Sequence, residues 1–178
     1  MRSRPPRNPR PPLDEAGLER LGLFYAGRYA TTRARLADYL RRKLKERGWS
    51  GTGEAPVDRL VRRFADLGYV DDRAFAEARS AALLRRGYGE RRVREALKGA
   101  GIADEDSAAA RDRAGDEALA AALRFARRRR LGPYAQSAPD RDARRKAAAA
   151  MLRAGHALAV VRQVLEMTPD DLPDPDVP

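Results

Sequence analysis

The feature that most constrains the fold is an internal repeat in which an apolar helical stripe ends at a glycine followed by a bulky residue. The three copies are Leu40-x-x-x-Leu44-x-x-x-Gly48-Trp49, Val93-x-x-x-Leu97-x-x-x-Gly101-Ile102 and Ala147-x-x-x-Met151-x-x-x-Gly155-His156. Their glycines lie 53 and 54 residues apart, a period typical of repeated supersecondary units. Residues four positions apart share a helix face, and glycine favours the left-handed conformation that ends many helices. The pattern predicts tandem helical repeats.

Each copy is predicted to belong to a unit of three helices, because short connections keep consecutive helices adjacent. Short alternating runs of Val, Ile and Thr, which are typical of strands, do not occur in the sequence. The sequence therefore predicts an all-α fold of three tandem three-helix repeats. The predicted boundaries are a disordered Arg/Pro arm at 1–12, repeats at 13–70, 71–115 and 116–166, and a disordered acidic Pro/Asp tail at 167–178.

Start and stop residues predict the individual helices. Thr31 or Thr32 is expected to cap the second helix, Gly48 to end it, and Pro56 to lie in the first turn of the third. The predicted helices span about 13–28, 32–47, 57–67, 72–86, 89–100, 104–113, 116–131, 140–154 and 157–166.

The segment from Leu60 to Ala76 predicts a fixed corner between the first and second repeats. An apolar helix face that includes Leu67 packs, Gly68 ends the helix, Tyr69 and Val70 fill the core, and the aspartates cap the next helix. Adjacent carboxylates also suit a hard cation, but their position before a helix favours capping. The predicted structural corner residues, with those of a second Gly-Tyr step, are Leu67, Gly68, Tyr69, Asp71, Asp72, Gly87 and Tyr88.

The inventory of reactive side chains argues against catalysis. The chain has no cysteine and a single histidine, His156, so no histidine or cysteine cluster with metal-ligand spacing exists. No glycine-rich phosphate loop ending in Lys-Ser or Lys-Thr occurs. We therefore predict no catalytic residue, cofactor or metal, and interpret His156 as a partly buried or surface imidazole. No apolar run reaches the roughly 20 residues of a membrane helix and no secretory signal is recognisable, which predicts a cytoplasmic protein.

The charge of the chain predicts a partner. A net charge of +11 and a pI near 10.7 indicate a polyanionic or acidic-surfaced partner. Arginine suits both phosphate and carboxylate, since its planar group donates two parallel hydrogen bonds. Any single arginine is explained by solvation of a helix, but the collective excess is not. The predicted basic face consists of Arg85, Arg86, Arg91, Arg92, Arg94, Lys98, Arg127, Arg128, Arg129 and Arg130.

Two segments and a dipeptide carry a resemblance to a known family. They are Leu67-Gly68-Tyr69-Val70-Asp71-Asp72-Arg73-Ala74-Phe75-Ala76, Arg86-Gly87-Tyr88-Gly89-Glu90-Arg91-Arg92-Val93-Arg94-Glu95-Ala96-Leu97 and Gly101-Ile102. The chain resembles the RecX family of regulators of the RecA recombinase over about Tyr29 to Leu165. It differs from the family pattern at Arg35, at His156 and in a long loop, 50–55.

The resemblance implies an elongated, curved molecule that lies in the groove of the RecA-DNA filament. There it restrains ATP hydrolysis and strand exchange and promotes filament disassembly, and so regulates DNA repair and recombination. A monomer is expected.

Two functions remain open at this stage. One is the regulator, whose basic face meets an acidic surface of the RecA filament and touches DNA non-specifically. The alternative is an autonomous DNA-binding protein with a helix-turn-helix at Gly48-Trp49. Against the alternative, the helix after this turn exposes Arg59, Arg62 and Arg63 but no Asn or Gln to contact adenine edges.

Overall fold

The computed structural model describes residues 11–172 of the 178-residue chain. Its helices are α1 (Glu15–Arg28), α2 (Arg33–Arg47), α3 (Val57–Asp66), α4 (Asp72–Arg85), α5 (Glu90–Lys98), α6 (Asp104–Asp116), α7 (Ala118–Arg129), α8 (Arg141–Arg153) and α9 (Leu158–Glu166), with 3₁₀ helices at Gly132–Tyr134 and Pro169–Asp171. Within the described range no strand forms beyond an isolated bridge between Leu13 and Trp49. The all-α prediction is confirmed. None of the helices in this range is long and apolar enough to cross a bilayer.

The chain divides into two compact units, of which the first ends at Phe75 and the second begins at Ala76, inside α4. The division into three repeats at 13–70, 71–115 and 116–166 stays a prediction. Most of the predicted arm, residues 1–10, lies outside the described residues, as does 173–178 of the predicted tail. Residues 167–172, expected to be disordered, instead contain the Pro169–Asp171 turn, because the Thr168 backbone N–H and hydroxyl both bond the Asp171 carboxylate at 2.7 Å.

The first unit packs α1, α2 and α3 around a small apolar core. Phe64 of α3 is 1% exposed, and a Cβ on Gly22 of α1 would lie 2.6 Å from its ring. Only glycine therefore lets the two helices approach this closely. Leu13 closes the unit, since its backbone exchanges hydrogen bonds with Gly48 O at 3.0 Å and Ser50 N at 2.9 Å. Each such fully buried Leu or Phe contributes about 1.5–3 kcal/mol.

The predicted corner after α3 is partly correct. Gly68 has φ +76° and Val70 is 4% exposed, as expected for a helix stop and a core residue. The predictions that Leu67 packs and Tyr69 fills the core are wrong, because these side chains are 58% and 54% exposed. Helix α3 ends at Asp66 and the chain turns at Gly68. This turn brings Val70 into the core but leaves Leu67 and Tyr69 facing outward. Tyr69 keeps only an edge contact with the Phe64 ring, 5.8 Å between centroids.

The two aspartates of the corner act on different helices. Asp71 accepts a hydrogen bond from Ala74 N at 2.9 Å and caps α4, as predicted. Asp72 does not cap α4. Its carboxylate is 4% exposed and accepts from the backbone N–H of Arg33 at 2.9 Å and from the Arg33 guanidinium at 3.1 Å. Asp72 thus supplies a negative charge at the N-terminus of α2, where the Thr32 hydroxyl also accepts from Arg35 N.

In the second unit the start of α5 packs on the turn between α8 and α9. Gly89 N donates to Ala154 O at 3.0 Å, and Arg91 N donates to Gly155 O at 3.2 Å. A Cβ on Gly89 would lie 2.4 Å from the Gly155 carbonyl, so no other residue fits without moving the backbone. The amide end of one helix therefore binds the carbonyl end of another, and the helix dipoles align favourably.

His156 completes this junction from the turn. It is 4% exposed, its Nε2–H donates to Gly87 O at 3.1 Å, and its ring meets the edge of Phe125, 5.6 Å between centroids. The prediction of a partly buried or surface imidazole therefore underestimated its burial. Burial lowers the pKa of His156, opposed by the hydrogen bond to Gly87, so the ring is neutral at physiological pH.

Replacing Asp72 tests its assignment to α2. We expect Asp72→Ala to lower the free energy of unfolding by about 2.5–4 kcal/mol, since a capping acceptor contributes about 1 kcal/mol and a charged hydrogen bond about 1.5–3 kcal/mol. The matched control Asp71→Ala removes an exposed cap and should cost about 1 kcal/mol. Urea denaturation followed by circular dichroism measures both. Equal losses for the two variants would contradict the role given to Asp72.

Replacing His156 tests its buried neutral state. Histidine in an unfolded chain binds a proton near pH 6.5, and burial depresses the pKa in the fold. The stability that His156 contributes is therefore present above about pH 6.5 and lost as the pH falls through the folded-state pKa. At neutral pH we expect His156→Phe to be less stable by about 1–3 kcal/mol, because Gly87 O loses its donor. The gap to the wild-type protein should narrow toward pH 5, and parallel pH profiles of unfolding free energy would refute this account.

Candidate partner-binding site

The described residues contain no group of three or more histidines, cysteines or acids placed to hold a metal ion. The paired carboxylates of the α3–α4 corner, which raised the metal alternative, are instead bound to backbone and guanidinium donors. The candidate site is therefore the predicted basic face. All ten of its residues belong to the second unit and have exposed side chains. They occupy the end of α4, the surface of α5 and the last turn of α7.

The structure brings the end of α4 and the end of α7 together. Arg128 donates from Nη1 to Arg86 O at 2.6 Å, and Arg124 donates from Nε to Leu84 O at 3.1 Å. Leu84 lies in the last turn of α4 and Arg86 directly follows the helix, where carbonyls find no amide partner inside the helix. Leu84 O also accepts from Gly87 N at 2.8 Å. Two α7 arginines thus stabilise the C-terminus of α4, where positive charge also interacts favourably with the helix dipole. The arginine pair 85–86 and the run 127–130 therefore form one connected part of the surface.

Arg91 makes the same kind of contact at the other end of the unit. Its Nη2 donates to Leu152 O, near the end of α8, at 2.7 Å, while Nη1 contacts Glu95 at 3.2 Å. Arg92 also pairs with Glu95, at 3.6 Å, and Arg94 pairs with Glu90. The three arginines remain 56–57% exposed. Ion pairs this exposed contribute about 0–1 kcal/mol, so an incoming anion replaces the glutamates at little cost.

Other members of the basic face make no ion pair or side-chain hydrogen bond with any described residue. They are Arg85, Lys98, Arg127 and Arg130. Arg86 lies over the Tyr88 ring at 5.4 Å, and Arg129 lies over Phe125 at 5.9 Å. The basic face thus contains two kinds of cation. One kind holds helix ends together, and the other has its charge available to a partner.

Sequence reasoning missed two features of this surface. The carbonyl contacts of Arg91, Arg124 and Arg128 join residues 40 to 61 positions apart, and no local pattern announces them. A second basic run, Arg141–Lys146 at the start of α8, is exposed and contains four cations and one acid. The high density of positive charge in this run is visible in the sequence and is the signal that identifies it as part of a basic surface.

The chain is similar over much of its length to proteins of one family. Residues 71–110 match the sequence profile of the second three-helix domain of RecX. Regulatory protein RecX of Myxococcus xanthus is 30% identical over 176 residues, which cover 94% of each chain. The protein of that name from Agrobacterium fabrum is 31% identical over 147 residues, 80% of this chain and 78% of the relative. That from Deinococcus radiodurans is 35% identical over 175 residues, 93% and 78% of the two chains.

Solved structures agree on the fold. The crystal structure of RecX from Lactobacillus salivarius has a TM-score of 0.63 at 18% identity and covers 85% of this chain and 94% of its own. A second crystal structure of regulatory protein RecX has a TM-score of 0.64 at 19% identity and covers 86% and 72%. Since identity of 30% or more extends over at least three quarters of both chains in each curated relative, this chain belongs to the RecX family.

Proposed function

We propose that this protein regulates a RecA recombinase. It binds the RecA-DNA filament, restrains ATP hydrolysis and strand exchange, and so limits homologous recombination during DNA repair. The observation that carries the proposal is the match to a protein named regulatory protein RecX over 94% of both chains. The basic composition supports it, because a net charge of +11 suits an acidic or polyanionic partner.

The exposed cations of the second unit are the proposed contact surface. Arg85, Lys98 and Arg127 have no charged partner among the described residues. The guanidinium groups of Arg91 and Arg128 are anchored to helix carbonyls and therefore held in place. The anchored cations lose little side-chain entropy on meeting carboxylates or phosphates, and the unpaired cations break no existing ion pair.

The proposed action is binding rather than catalysis. The single histidine of the chain donates to Gly87 O and packs on Phe125 inside the fold, where it reaches no substrate. The curated relatives of this protein are named regulatory proteins. Regulation then arises because the filament states differ in their affinity for this protein, which shifts their populations.

Autonomous DNA binding gains no specific support from the first unit. In the helix-turn-helix alternative, α3 would enter the major groove. However, Arg59 pairs with Glu15 at 2.6 Å and Arg63 pairs with Glu19 at 3.2 Å, both across to α1. Two of the three candidate arginines are thus partly neutralised. Non-specific affinity through the basic surface of the second unit remains part of the proposal.

Adding the protein to its cognate RecA on single-stranded DNA tests the proposed function. We expect the DNA-dependent ATPase rate to fall at substoichiometric ratios, since one bound regulator affects a filament of many subunits. A coupled assay of ADP release measures this rate, with bovine serum albumin as the inert control. Binding to naked DNA with the same affinity as to the filament, together with an unchanged ATPase rate, would instead establish the DNA-binding alternative.

Reversing three unpaired cations tests the contact surface. The variant Arg85→Glu, Lys98→Glu, Arg127→Glu should weaken inhibition by about tenfold, if each exposed pair contributes about 0.5 kcal/mol. The matched control reverses three exposed arginines of the same unit outside the basic face, Arg79, Arg113 and Arg162, for the same change in net charge. Both variants should keep wild-type helicity. Similar losses in the two would show that net charge, and not this surface, determines binding.

A further inference from the structure

A groove lies at the end of the second unit, between the 131–139 loop and the first turns of α8. It encloses about 230 Å³ and combines an apolar floor with a basic rim. Leu131, Pro139, Ala147 and Leu165 contribute the floor, and Arg130 and Arg144 stand at the rim. We refer to this site as the terminal groove. It lies outside the predicted basic face except for Arg130.

The internal repeat shows what kind of surface this is. A shift of 54 residues places Ala143 of α8 on Gly89 of α5, and Ala147 on Val93. At Gly89 the start of α5 is covered by the α8–α9 turn, whose carbonyls accept hydrogen bonds from Gly89 N and Arg91 N. The corresponding surface at Ala143 is exposed, with Asp140 rather than another turn accepting from Ala143 N. The terminal groove is therefore a repeat-docking surface with no further repeat among the described residues to cover it.

The charge at the groove selects an acidic occupant. Arg130 and Arg144 form no ion pair with any described residue, whereas the neighbouring Arg145 pairs with Asp142 at 3.3 Å. Two unpaired guanidinium groups beside apolar side chains fit a segment that carries carboxylates and small apolar groups. A carboxylate can accept two parallel hydrogen bonds from each.

The chain supplies such a segment directly after Leu172, the last described residue. Leu172 packs on the apolar cluster to which Leu131 and Leu165 also belong, and both of these line the groove. The next residues, 173–178, have the sequence Pro-Asp-Pro-Asp-Val-Pro. Six residues reach at most about 20 Å. The Pro169–Asp171 turn just before Leu172 contacts the Gly132–Tyr134 turn, and Gly132 lines the groove. We propose that the terminal groove is a docking site for acidic segments and that residues 173–178 of this chain are its occupant.

This contact would act as a tethered competitor. A short tether holds its segment at an effective concentration of about millimolar, so a weak intrinsic affinity suffices to keep the groove filled. An acidic partner would have to displace residues 173–178 before it reached Arg130 and Arg144. The contact depends neither on the identity of that partner nor on the proposed action on RecA.

The absence of cysteine makes the contact directly measurable. A nitroxide on Val177→Cys in the full-length protein broadens the amide signals of nearby residues in NMR spectra, measured as intensity with the label oxidised against reduced. We expect selective loss of the Ala143, Arg144 and Ala147 signals. This loss of signal should disappear in the double variant Asp174→Asn, Asp176→Asn. It should also diminish with added salt, since the attraction is electrostatic.

A matched pair of charge reversals on α8 locates the contact. Arg144→Glu should abolish the broadening, whereas Arg141→Glu, an exposed change on the same helix that does not line the groove, should preserve it. Broadening that survives Arg144→Glu, or none around the groove in the parent protein, would overturn the proposal. A second result would also overturn the proposal: a glutamate-rich peptide below millimolar concentration shifts the groove amide signals, while the nitroxide label broadens none of them. The groove would then be open to an acidic partner and not occupied by residues 173–178.

Discussion

An α-helix leaves four amide N–H groups and four carbonyls at its ends without partners inside the helix. The described part of this chain folds into helices of only 9 to 15 residues, so helix ends are frequent. The structure satisfies many of them with donors and acceptors from neighbouring helices. Asp72 binds the start of α2, Arg124 and Arg128 bind the end of α4, and Gly89 with Arg91 binds the end of α8. The packing of one helix on the next depends on these contacts.

The composition explains why end contacts matter so much here. Aromatic residues make up 6% of the chain, and much of the core of α7 is alanine, with Ala121, Ala122 and Ala126 fully buried. An alanine buries little apolar area, whereas a Leu or Phe contributes about 1.5–3 kcal/mol. A hydrogen bond to a charged group contributes about 1.5–3 kcal/mol as well. Guanidinium groups on helix-end carbonyls therefore add to the stability that this small apolar core provides.

What the sequence predicts well is local. Helix positions follow from the spacing of apolar residues, and Gly48, Gly101 and Gly155 end their helices with positive φ, as the repeat indicated. What it predicts poorly depends on tertiary placement. Asp72 follows a helix stop, as a cap of α4 would, yet it binds Arg33 because the corner carries it to the start of α2. In the same way, no sequence pattern near Arg91 predicts that Leu152 O lies 2.7 Å from its guanidinium.

Arginine suits both helix packing and the proposed binding for a physical reason. A guanidinium has five N–H donors in a fixed plane, and Arg91 directs one nitrogen to Leu152 O and another to Glu95. The pair with Glu95 is exposed and contributes about 1 kcal/mol at most. The bond to the carbonyl adds a second donor at the end of α8, because Leu152 O also accepts from Gly155 N at 3.0 Å. In the proposed function, a partner carboxylate would replace Glu95 and leave the junction of α5 with α8 intact. Such binding would leave in place the support that positions the arginine, and by mass action a bound partner would stabilise the junction further.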